Sequence, residues 1–95
     1  MKDFISKILR ENLENPNQTE YVVFEITKPI GLMSMKYYFQ ARPKHELKTG
    51  KVYINKGSAG HKSISVKSIE VLKTFLIPSQ EKEMNNYLNE LRNKV

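Results

Sequence analysis

Two histidines and no cysteine are all that this chain offers to soft-metal or thiol chemistry. A helix that grips zinc through His-Glu-x-x-His needs its second histidine four residues after the first, so that both imidazoles face one ion. His45-Glu46-Leu47-Lys48 is followed by Thr49, and Pro43 and Gly50 bracket the stretch with residues that oppose a helix. No metal site is expected there. Without cysteine there is no disulfide framework and no thiolate nucleophile. The serines are numerous, but none sits in a nucleophile elbow. General acid–base work by His45 or His61, set against Glu46 or Glu70, would be the least strained catalysis, and no spacing in the chain supports it. The expectation is a protein that is not an enzyme and carries no cofactor.

The loop at residues 56–63, Lys-Gly-Ser-Ala-Gly-His-Lys-Ser, has the glycines and lysines of a phosphate cradle. It does not fit the P-loop pattern, because His61 precedes Lys62 where glycine is required and no helix pattern follows. Two readings remain. In one, Gly57 and Gly60 take positive φ and expose amides that form a small anion nest beside Lys56, His61 and Lys62. In the other, the segment is a hairpin connection of ordinary composition.

Charge supplies the broader signal. Residues 28–76 hold ten basic side chains against two acidic ones, Glu46 and Glu70, while the segments before and after are acidic or balanced; the whole chain carries +6. Concentrated positive charge attracts polyanions. Lysine outnumbers arginine 13 to 3, which favours phosphate contact over the bidentate reading of bases. Tyr38 and Tyr53 fall among Lys36, Arg42, Lys51 and Lys67 in strand-like alternation. Single-stranded nucleic-acid binders use that interleaving of stacking rings and cations. A solvated sheet face with lysines guarding its edges gives the same pattern.

The elements that must carry these residues follow from periodicity. Asp3 caps a first helix whose apolar stripe is Phe4, Ile5, Ile8, Leu9 and Leu13, ended by Asn15-Pro16. From Tyr21 the period is two, with Val22, Phe24 and Ile26 on one face. Lys28-Pro29-Ile30-Gly31 is a turn. A second strand is expected over residues 32–42, with Lys36, Tyr38 and Arg42 on its polar face, and a third sets Val52 and Ile54 inward with Lys51, Tyr53 and Asn55 outward. The alternation then slips phase between Ile64/Val66 and Ile69/Val71, which a bulge or one helical turn at Lys67-Ser68 would absorb. Strand, tight turn and short closing strand over residues 64–72 resemble the end of SH3-like and Sm-like small barrels. Met84, Tyr87, Leu88, Leu91 and Val95 then make the stripe of a last helix.

The expected fold is one α+β domain: an N-terminal helix, four or five mostly antiparallel strands as a sheet or small SH3-like barrel, and a C-terminal helix. Both helices pack on one sheet face and leave the other free. With no signal-peptide core and no run near the roughly 18 apolar residues that cross a bilayer, the expected location is cytoplasmic. The functional expectation is non-catalytic, low-specificity binding of nucleic acid, single-stranded favoured, through Lys36, Tyr38, Arg42, Lys51, Tyr53, Lys56, His61, Lys62 and Lys67. Its rival is a small accessory or inhibitor protein, of phage or mobile-element kind, that binds a host or partner protein through an acidic, nucleic-acid-binding-site-like surface or through exposed tyrosines and methionines. Edge strands leave a homo-oligomer open.

Overall fold

A computed structural model describes residues 18–28, 31 and 33–94. The expected N-terminal helix lies outside the described residues. Five strands and one helix follow: β1 (Thr19–Ile26), β2 (Phe39–Pro43), β3 (Lys51–Asn55), β4 (His61–Ser65), β5 (Ile69–Ile77) and α1 (Glu81–Asn93). The strands form two antiparallel sheets, one of order β2-β1-β5 and one a β3-β4 hairpin. The architecture is α+β, and the sheets do not close into a barrel.

The central strand explains the layering. Val22, Phe24 and Ile26 project from one face of β1 and pack with Val52, Ile54 and Ile64 of the hairpin, all of them at most 2% exposed. Val23 projects from the other face, against Phe75 and the helix residue Met84. Both faces of the three-stranded sheet are therefore covered, one by the hairpin and one by α1. This corrects the expectation of a single sheet with one free face. In sequence, Tyr21-Val22-Val23-Phe24 is a nearly continuous apolar run, as a strand buried on both sides requires.

The stripe of α1 docks as its spacing implies: Met84 is buried, and Tyr87, Leu88 and Leu91 pack beside it on Val23 and Phe75. Rings of Phe75 and Tyr87 meet at 5.6 Å and 52°, a tilted arrangement that aromatic pairs favour. From the end of the helix, Arg92 donates two hydrogen bonds to the carbonyl of Phe39, at 3.1 and 2.8 Å, and ties α1 to β2.

The second strand is shorter than alternation suggests. Residues Met35–Tyr38 form a 3₁₀ turn, and the strand begins only at Phe39. The cause is visible in Gln40. Its buried amide donates to the carbonyls of Tyr37 and Asn55 and accepts from the Asn55 amide, so one side chain takes the place of a backbone ladder between β2 and β3. The phase slip resolves as a helical turn: Val66–Ser68 is 3₁₀, held by the Ser65 hydroxyl accepting from the Lys67 amide. The carbonyl of Ser68 accepts from Thr27, so this turn passes the chain from the hairpin to the three-stranded sheet. The closing strand β5 is long, not short, and carries its own register shift opposite Val23/Phe24.

Candidate functional site

Among the described residues, the outward face of the hairpin is left uncovered. Burial alternates strictly along β3, with Val52 and Ile54 buried and Lys51, Tyr53 and Asn55 exposed. The register sets Lys51 opposite Ser65, Tyr53 opposite Ser63 and Asn55 opposite His61. His61 is thus the diagonal neighbour of Tyr53, a separation that aromatic side chains bridge. Their rings stack at 5.3 Å between centroids and 3° between planes. Tyr53 remains 46% exposed, so the stacked pair stands on the surface and is not packed into a core.

Arg42 approaches Tyr53 from the β2 side, its guanidinium carbon 5.7 Å from the ring centroid. The partner strand of β3 on the other side supplies His61, so guanidinium, phenol and imidazole form a row across the strand. Arg42 is fixed in place by Glu46: its Nε donates to one carboxylate oxygen at 3.0 Å, and its Nη2 pairs with the other. The hydrogen bond from Arg42 holds the Glu46 carboxyl below its ordinary range against the opposing effect of burial, and the Tyr53 amide adds to this. The same pair raises Arg42 above its ordinary value. Lys51, Tyr53, Asn55, His61, Ser63 and Ser65 include no carboxylate, and the acid bordering them, Glu46, is already engaged.

The sequence-derived candidates separate in space. Arg42, Tyr53 and His61 come together, with Lys51 on the same hairpin face. Lys62 is exposed near the hairpin tip and Lys67 in the turn after β4. Lys36 and Tyr38 sit in the 3₁₀ turn before β2 and share no strand alternation with Tyr53; the expected common face of residues 32–42 and the third strand does not form. Arg42 pairs with Glu46 through Nε and Nη2 and lies over Tyr53. Sequence reading did not single out Glu46 as that partner, although its four-residue spacing was a usable signal.

The loop between β3 and β4 satisfies its own amides. Gly57 donates to Asn55 Oδ1 at 2.8 Å, Gly60 to the Gly57 carbonyl at 3.0 Å, and Lys56 to the Gly60 carbonyl at 2.6 Å. Both glycines have positive φ, as expected, but these three amides are used within the turn. Among the described residues, no group of three or more His, Asp or Glu side chains could hold a metal ion. No helix among them is long and apolar enough to cross a membrane. Comparison of the chain with known protein families, with curated proteins and with solved structures finds no match in any of the three.

Proposed function

We propose that this chain binds single-stranded nucleic acid, without catalysis and with low sequence specificity, on the outward face of the β3-β4 hairpin. The observation that carries the reading is the exposed, parallel Tyr53–His61 stack on a face without carboxylates. In the row of Arg42, Tyr53 and His61 the outer face of the exposed His61 ring is the one open to a base; Tyr53 behind it holds that ring in place beforehand, and stacking of this kind contributes about 1–3 kcal/mol per base. Lys51 on the same face and Lys67 in the turn beyond β4 supply point charges suited to phosphate oxygens, whereas Lys62, opposite Ile54, projects to the other side of the hairpin. Arg42, held by Glu46, keeps the Tyr53 ring in position. Among the described residues, the large exposed apolar side chains Met35, Tyr53 and Val71 lie on different elements.

Fluorescence anisotropy with short labelled DNA and RNA tests this reading. Log affinity should fall linearly with log salt, by roughly 0.7 per neutralised phosphate. Replacing Lys51 and Lys67 together by serine should weaken all sequences equally and flatten the slope by about 1.4. Absence of binding at low salt to either nucleic acid would overturn it.

A further inference from the structure

A groove of about 440 Å³ lies between the segment that leads into β2 and the turn Gly57–Ala59, and Met33, Ser34, Tyr37, Lys56, Gly57 and Ser58 line it. Its volume falls within the roughly 300–1,000 Å³ of small-molecule sites. Its two walls differ in chemistry. One carries the Tyr37 ring and the Met33 thioether. Ser34 adds a hydroxyl on that side; the opposite wall carries Lys56 and the Ser58 hydroxyl, and no described lining residue is acidic. Gly57 makes this arrangement possible, since a Cβ there would stand 2.9 Å from Tyr37 Cε2; only glycine lets the turn rest on the ring. The Lys56 ammonium reaches across toward Gly31, 3.5 Å from where a Cβ on that residue would be. It makes no ion pair among the described residues. A second cation stands at the rim, with Lys36 Nζ 5.4 Å from the Tyr37 centroid.

We infer that this groove binds a phosphorylated sugar. Lys56 and the two hydroxyls meet the phosphate oxygens, by charge-assisted and neutral hydrogen bonds respectively, while the sugar's C–H face lies on Tyr37 and Met33. The inference goes beyond the hairpin face and does not rest on it. The same chemistry comes from a free sugar phosphate or from one unit of a nucleic-acid strand.

The test is an NMR titration of the full chain, labelled at methionine methyls and backbone amides, with ribose 5-phosphate and with a short oligonucleotide. Ribose 5-phosphate should move the Met33 methyl and the Ser58 amide saturably and leave the buried Met84 methyl in place. Ribose without phosphate should move neither. Lys56→Ala should weaken the effect about fivefold or more, and Ser58→Ala by a smaller factor, as expected for charged and neutral hydrogen bonds. Unmoved Met84 shifts in each variant confirm the fold. An oligonucleotide that moves Met33 assigns the ligand to a strand; movement by ribose 5-phosphate alone assigns it to a free sugar phosphate. Tyr53→Ala should abolish hairpin-face shifts with the oligonucleotide yet leave the ribose 5-phosphate response intact. The inference is overturned if Met33 does not respond up to about 50 mM, a limit near −2 kcal/mol of binding. It is also overturned if ribose acts equally well, or if Lys56→Ala binds as the parent does.

Discussion

At the scale of single residues, the candidate site depends on how Arg42 is used. A guanidinium on a basic surface invites the role of phosphate ligand, but here it is pinned by Glu46 and laid against Tyr53. We propose that its contribution is to the position of the ring. Lys cannot replace it, because an ammonium has neither the planar fork nor the stacking face. We therefore expect Arg42→Lys to weaken oligonucleotide binding by several-fold with the salt slope unchanged, in anisotropy titrations; a loss of slope would mean that Arg42 touches phosphate after all. Glu46 gives a separate test in pH. Its folded-state pKa is depressed below the unfolded value, so the stability it adds is present above that value, about 4.3, and is lost as pH falls through the depressed one. The urea midpoint of Glu46→Gln should lie below that of the parent at neutral pH, and the two should converge under acid. Equal midpoints at pH 7 would show that the pair adds nothing.

At the scale of elements, Gln40 joins the two sheets. Its amide bonds both backbone groups of Asn55 from a position only 6% exposed. Gln40→Leu keeps the volume and removes those partners, so it should destabilise by about 1–3 kcal/mol and broaden amide signals at the β2–β3 junction. An unchanged denaturation curve would contradict that role. Met84→Ala tests the other layer and should cost about 2–5 kcal/mol, since Met84 is the buried residue of α1. Elements with a single period were legible in the sequence: the β3 alternation, the helical stripe from Met84 to Leu91, and the turn that absorbs the slip near Lys67. What was not legible depended on distant partners. Nothing local says that residues 35–38 leave the strand, because the Gln40 amide that ends the ladder there bonds fifteen residues away. Nor does alternation show that β1 is covered on both sides, since that requires knowing where the hairpin goes. The basic face was legible as charge, while its membership was not: Lys36 and Tyr38 had the right parity on a strand that does not form.

At the scale of the whole molecule, the fold separates roles by layer. The helix and the three-stranded sheet build one core around Val23 and Phe75, and the hairpin builds another around Phe24 and Ile54. Its inward face is spent on that core, and its outward face is left to present Tyr53, His61 and Lys51. On the far side, among the described residues, the exposed face of α1 carries Glu81, Glu83 and Glu90 against Lys82, with Lys73 of β5 beside Tyr87, so the helix itself offers a polyanion little attraction. The most direct test is to map an oligonucleotide onto the backbone by amide chemical shifts at low salt. The account predicts that Lys51, Tyr53, His61 and Ser63 move together and saturably, that α1 stays unmoved, and that Tyr53→Ala removes the response with the fold intact. Shifts concentrated on α1 and β5, with the hairpin silent, would contradict it.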